Sequence, residues 1–223
     1  MIVFDMAGTV VDEKNVVYKT LQQALQRGGF DFDLDTVLLN GGGKEKFQAI
    51  KDLMSLKGSA KKAPADEIFK DFLQLLEKAY QELEVKTYPG VESLLHRLKS
   101  NKIKVVLNTG YNSFTANTLL DKMGWQSGQE YDLLVTADQV ENSRPAPDMI
   151  YLAMQKLGVT DKKLVAKVGD SVIDIEEGKS AGCGFTVGVT TGAHTREQLS
   201  QAHPDLVLES LSELDAHLAK INV

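Results

Sequence analysis

The sequence predicts an α/β fold built on a mostly parallel sheet, with a helical insertion after the first strand. Short apolar runs ending in Asp, Asn, Gly or Thr alternate with helical patterns, the rhythm of strand and crossover helix. One long stretch, residues 12–88, breaks that rhythm with helical periodicity and no strand signal. The chain of 223 residues, 43% hydrophobic and 25% charged, has the size and balance of one globular domain carrying a small insertion.

The first predicted strand is 2–5, and it runs directly into Asp5-Met6-Ala7-Gly8-Thr9. The insertion follows, with three helical patterns. Its clearest stripe is Ile68, Phe69, Phe72, Leu75, Leu76, Ala79, Tyr80 and Leu83, at steps of one, three and four, and this face requires a partner surface. Residues 12–88 hold 12 basic and 13 acidic side chains, so most of the net charge of −6 lies in the remainder, 1–11 and 89–223. The run from Lys57 to Lys62 reads as a solvated loop between helices. Beyond the insertion, strands are predicted at 103–108, 133–136, 164–169, 185–189 and 205–208. Helices are predicted around 91–100, 112–123, 147–157, 174–181, 195–202 and 210–220, the last from the stripe Leu211, Leu214, Leu218 and Ile221.

Net acidity argues against a nucleic-acid binder, because phosphate contacts need clustered Lys and Arg. The single cysteine, Cys183, leaves no intrachain disulfide and reads as a small packing residue. No apolar run has the length of a membrane span, and the N-terminus has no basic, signal-like start, so a cytoplasmic location is expected. Trp125 reads as a core anchor, Thr190-Thr191-Gly192 as a turn, and His96, His194, His203 and His217 as surface or capping residues without metal-site spacing.

In a parallel sheet, ligands bind beyond the carboxyl ends of the strands. Asp5 there precedes a small-residue turn whose N–H groups can surround an oxyanion, and its carboxylate can attack phosphorus. Thr109-Gly110 offers a hydroxyl and a helix start to a phosphate. Asp170, with Asp174 four residues on, adds carboxylates that can hold a hard cation such as Mg2+. Arg144, in Ser143-Arg144-Pro145-Ala146-Pro147, adds a fixed cation.

Asp5, Thr109, Arg144 and Asp170, in that order and each at or just beyond a strand end, resemble the haloacid dehalogenase (HAD) superfamily over essentially the whole chain. The resemblance implies a Rossmann-like, HAD-like core of residues 1–11 and 89–223, with a helical cap of residues 12–88. It also implies a Mg2+-dependent hydrolase working through an aspartyl phosphate. Asp5 would be the nucleophile. Asp5, the Ala7 carbonyl and Asp170 would hold the metal, with Asp174 in support. Thr109 and Arg144 would bind the phosphoryl oxygens, beside Gly8 and Gly110.

The departures from the common pattern are informative. Ala7 stands where most phosphatases of the superfamily carry an acid, and alanine cannot move a proton. Arg144 stands where a lysine is usual. Both departures, with Thr109-Gly110-Tyr111 and Arg144-Pro145-Ala146-Pro147, resemble the phosphonatase branch, phosphonoacetaldehyde hydrolase and its relatives. That branch uses a cap lysine, placed after a glycine and two further residues, to form a Schiff base with the substrate aldehyde. Gly41-Gly42-Gly43-Lys44 supplies such a lysine, and an iminium at Lys44 would act as the electron sink that makes an acid less necessary. Phe47 stands where the branch has a histidine.

The expected substrate is therefore a small organophosphonate, phosphonoacetaldehyde or a related 2-oxoalkylphosphonate. One alternative is a phosphate ester, cleaved with an acid borrowed from Glu13. Another is a catalytically reduced protein that only binds a phosphate ligand. The expected assembly is a monomer or a homodimer paired through the cap.

Overall fold

The computed structural model describes residues 1–57 and 63–218. Six parallel strands form the central sheet: β1 (Ile2–Asp5), β4 (Val105–Thr109), β5 (Leu133–Thr136), β6 (Ala166–Gly169), β7 (Phe185–Val189) and β8 (Leu206–Leu208), in the order β5-β4-β1-β6-β7-β8. The sheet is flanked by α5 (Val91–Ser100), α6 (Ser113–Met123), α7 (Asp148–Leu157), α8 (Val172–Ala181) and α9 (Arg196–Gln201). β1 sits between β4 and β6, pairing Asp5 with Asn108 and Phe4 with both Leu107 and Val168. The order reverses at β1, and this opens a crevice beyond the carboxyl ends of β1, β4 and β6. Phe4, Leu107 and Val168 point into one face of the core, and Val3, Val106 and Val135 into the other.

Two short strands, β2 (Val11–Asp12) and β3 (Lys86–Thr87), pair antiparallel, so the chain leaves and returns side by side. Between them lie four helices, α1 (Val16–Arg27), α2 (Leu34–Gly41), α3 (Lys46–Leu56) and α4 (Ala65–Glu82), where three patterns were expected from sequence. The additional break comes from Asp33, whose side chain accepts the Thr36 N–H and starts α2 afresh. The α4 stripe finds its partner surface: Ile68, Phe72, Leu76 and Tyr80 are buried against the face that carries Leu21 and Leu25 of α1. No helix among the described residues is long and apolar enough to cross a membrane.

Several boundaries shift from the sequence expectation. β4 begins at Val105 rather than 103, because Lys102 takes a positive φ and the Ile103 N–H still bonds the Leu98 carbonyl of α5. β6 begins at Ala166 because Lys162–Leu164 form a 3-10 turn capped by Asp161. β8 begins at Leu206, with the Asp205 carboxylate accepting the Thr186 N–H. The last element among the described residues is a 3-10 helix, Leu211–His217, and Ile221 lies outside the described residues, as do Lys61 and Lys62.

Candidate active site

The crevice brings Asp5, Ala7, Gly8, Thr109, Gly110, Arg144, Asp170 and Asp174 to the carboxyl edge of the sheet. Asp5 ends β1, Thr109 ends β4, and Asp170 follows β6 directly. All three are buried, as are Arg144 and Asp174. The Arg144 guanidinium donates to Asp5 through Nη1 at 2.7 Å and stands 3.0 Å from Asp174 Oδ1 through the same nitrogen. Its remaining nitrogens reach Asn108 and Glu177.

Three residues without a role in the sequence reading complete this network. Lys167, wholly buried on β6, lies 2.8 Å from Asp174 and 3.3 Å from Glu177. The Asn108 amide donates to Glu177 at 2.9 Å. A lysine inside the apolar run Val165-Ala166-Lys167-Val168 is the signal that could have revealed it, since a charge in a buried strand requires a partner.

Two cations thus face three buried carboxylates below the floor of the site. Against the burial that would raise it, the charges of Arg144 and Lys167 hold Asp174 down at about 2. Asp174 also accepts the Ser171 hydroxyl at 2.5 Å and its N–H at 3.2 Å, which fixes the start of α8. Asp170 lacks such cations. Burial and the neighbouring charges of Asp5 and Asp174 push its carboxyl well up. Burial raises Asp5 as well, in opposition to Arg144.

Asp5, Asp170 and Asp174 each offer a carboxylate oxygen, all within 4.8 Å of one another. Buried like charges at this spacing repel, and a hard divalent cation relieves the repulsion with oxygen ligands it prefers. The donor set therefore fits a metal such as Mg2+. Glycine keeps the cluster compact: a Cβ at Gly192 would meet Asp170 Oδ2 at 2.0 Å, and one at Gly8, where φ is +86°, at 2.4 Å.

The insertion closes over this edge through its Gly41-Gly42-Gly43 turn. Gly43, at φ +72°, leaves 2.4 Å between a would-be Cβ and Ser171 Oγ, and its N–H donates to the Tyr18 hydroxyl. A Cβ at Gly110 would meet the Gly43 carbonyl at 2.9 Å. Beneath the contact lies a chamber of about 10 Å³, lined by Asp5, Ala7, Tyr18, Lys46, Thr109 and Arg144 among others. That space is about the size of one water.

The lysine in this chamber is Lys46. Lys44, the residue expected from sequence, instead pairs with Asp52 at 2.6 Å on the rim and is partly exposed. Lys46 is 6% exposed, lies about 5 Å from the Tyr18 and Tyr111 ring centres, and donates to the Lys44 carbonyl. Burial pulls its ammonium from 10.5 to about 8, although Asp5 opposes the shift. Gly43-Lys44-Glu45-Lys46 satisfies the glycine-plus-two spacing as well as Lys44 does, so the spacing by itself could not choose. The helix start decided: Glu45 accepts the Phe47 and Gln48 N–H groups and opens α3, turning Lys46 inward.

His194 is buried rather than on the surface, yet it does cap. Its Nδ1 accepts the Val172 N–H at the start of α8.

This fold and site belong to a hydrolase. The family model of haloacid dehalogenase-like hydrolases matches residues 2–188, and the chain belongs to that family. It is 30% identical to phosphonoacetaldehyde hydrolase of Latilactobacillus sakei over 98% of this chain and 94% of that one. It is 29% identical to a probable phosphatase, IndB, of Dickeya dadantii, over 96% and 91% of the respective chains. Among solved structures, a hydrolase from Pseudomonas syringae superposes with a TM-score of 0.86 at 21% identity, covering 100% of this chain and 99% of that one.

Proposed function

We propose that this hydrolase cleaves the carbon–phosphorus bond of phosphonoacetaldehyde or a related 2-oxoalkylphosphonate, with residues 12–88 acting as a cap. The observation that carries this reading is the buried Lys46 amine in one chamber with Asp5, beside an Ala7 that has no proton to give. The relative from Latilactobacillus sakei supports it by name. An ammonium drawn down to about 8 is neutral often enough near neutral pH to act as a nucleophile.

In the proposed sequence the Lys46 amine adds to the substrate carbonyl and water leaves, giving an iminium. The Asp5 carboxylate then attacks phosphorus, and the electron pair of the carbon–phosphorus bond moves onto carbon to form an enamine. The enamine takes a proton and water hydrolyses the resulting iminium, which frees the aldehyde and Lys46. A second water cleaves the aspartyl phosphate to phosphate and Asp5.

Mg2+ held by Asp5, Asp170 and the Ala7 carbonyl would neutralise phosphoryl charge when bound. Thr109 and Arg144 would bind the phosphoryl oxygens. Asp174, locked by Lys167 and Ser171, would hold Arg144 and the Asp170 loop in place. A chamber of about 10 Å³ cannot admit a phosphonate, so the cap would swing on β2 and β3 to bind and release.

Phosphomonoester hydrolysis is the second reading. One observation favours it: burial lifts the Glu13 carboxyl to about 7, where it can hold a proton for a leaving group.

The test is borohydride trapping with phosphonoacetaldehyde and Mg2+, followed by peptide mass spectrometry and a phosphate assay. A reduced adduct on Lys46 with phosphate released is expected. An adduct on Lys44 would move the Schiff base to the rim. Phosphate released only from esters, without an adduct, would favour the phosphatase.

A further inference from the structure

Beside the chamber at Asp5 lies a second, larger cavity that a two-carbon aldehyde would leave empty. Lys46, Gly110 and Tyr111 line both spaces. The larger one has a volume of about 290 Å³, close to the lower end of small-molecule pockets. Phe69, Phe72, Leu73 and Leu76 of α4 form one wall, and Tyr111 and Thr115 stand opposite. Leu73 keeps 38% of its surface exposed. Past Leu73 and Leu76 a further cavity of about 360 Å³ continues to Phe114, which is 74% exposed at its lip.

The carboxylates at the border of the first cavity are already engaged. Glu45 accepts the Phe47 and Gln48 N–H groups, and Asp138 accepts from Ser113 and Thr136. The rest of the lining is mostly hydrocarbon, from Phe69, Phe72, Leu73, Leu76 and Ala137, with Lys46, Asn112 and Thr115 as further polar residues.

Taking the carbon–phosphorus reading above as its basis, we infer that the substrate carries an apolar alkyl or aryl group on its carbonyl carbon. The phosphonate lies on the Asp5 side of Lys46, and the apolar group lies between α4 and the Tyr111–Thr115 segment. The substrate class is R–CO–CH2–phosphonate with R an unbranched alkyl chain or a phenyl ring. A charged or sugar-like R would lie against the Phe69, Phe72, Leu73 and Leu76 side chains, with few polar partners for its groups.

Calorimetric binding of unreactive methyl-, butyl-, hexyl- and benzylphosphonate in the presence of Mg2+ tests the cavity without relying on turnover. Affinity should rise about three- to fourfold per methylene that enters the pocket. A flat or falling series, or no binding by any member, overturns the inference. Leu73→Trp, which fills the partly exposed wall, should lower the hexyl-to-methyl affinity ratio at least about tenfold. An unchanged ratio with the variant folded also overturns it.

A turnover arm separates the two readings, with phosphate release measured from phosphonoacetaldehyde, 2-oxohexylphosphonate and hexyl phosphate. A chain-length gain in binding, with only hexyl phosphate turned over, keeps the apolar subsite and refutes carbon–phosphorus cleavage. Cleavage of phosphonoacetaldehyde with a flat binding series does the reverse.

Discussion

Replacing Glu13 with glutamine removes a charge that the fold buries almost completely and should make the protein more stable at neutral pH. Glu13 is 1% exposed, at the start of the insertion, and its Oε2 accepts the Val17 N–H at 3.0 Å. Glutamine keeps that acceptor and loses the charge. Burial lifts the carboxyl from 4.5 to about 7, with the Val17 and Val16 N–H groups and Lys46 pulling the other way.

A folded-state value above the unfolded one means that the folded chain binds more protons between pH 4.5 and 7. The contribution of Glu13 to stability is then complete below about pH 4.5 and is lost as pH rises through 7. A shift of this size corresponds to about 3 kcal/mol at about 1.4 kcal/mol per pH unit. Glu13→Gln does not titrate, so subtracting the two proteins removes the shared contributions of Asp5 and Asp170. Urea unfolding of both at pH 5, 6 and 7 reads the gap, which should open by about 2 kcal/mol in favour of the variant across that range. Two parallel stability curves would refute the reasoning.

The site makes further predictions. Lys46→Met should abolish phosphonoacetaldehyde hydrolysis, while Lys44→Met, which breaks only a rim ion pair, should change kcat/KM by less than about threefold. If Lys46 reacts as the free amine, kcat/KM should climb about tenfold per pH unit below 8 and level off above it, because the neutral form accumulates there. Gly192→Ala places a methyl 2.0 Å from Asp170 Oδ2, so Mg2+ affinity measured by titration should fall at least about tenfold. Lys167→Met leaves Asp174 and Glu177 with Arg144 alone, and unfolding should show a loss of about 3–5 kcal/mol.

The alternation of apolar runs and helical patterns was enough to reveal a parallel sheet, because each βαβ unit writes its period locally. Asp5, Thr109 and Asp170 were legible for the same reason: each stands at or directly after a strand end, where the sheet delivers its residues to one edge, while Arg144 comes from the longer loop between β5 and α7. Boundaries were less legible. Ile103 belongs to the turn because Lys102 takes a positive φ, a backbone choice that hydropathy does not record.

Lys44 and Lys46 mark the limit most clearly. Two lysines, two residues apart, both fit a glycine-plus-two spacing, and nothing in their order says which will face Asp5. Glu45 caps α3, so Lys44 stays in the turn before the helix and reaches Asp52 at the rim, while Lys46 is the first helical residue and its amine enters the chamber. The sequence by itself determined the α/β class and the polar residues at its strand ends, both of which are local. Only the tertiary structure decided that Lys167, Glu177 and Asn108 clamp Arg144, that Lys46 is the buried amine, and that α4 leaves an apolar cavity beside it. Those facts depend on segments far apart in sequence whose charges and side chains are partnered only when the sheet and the insertion pack together.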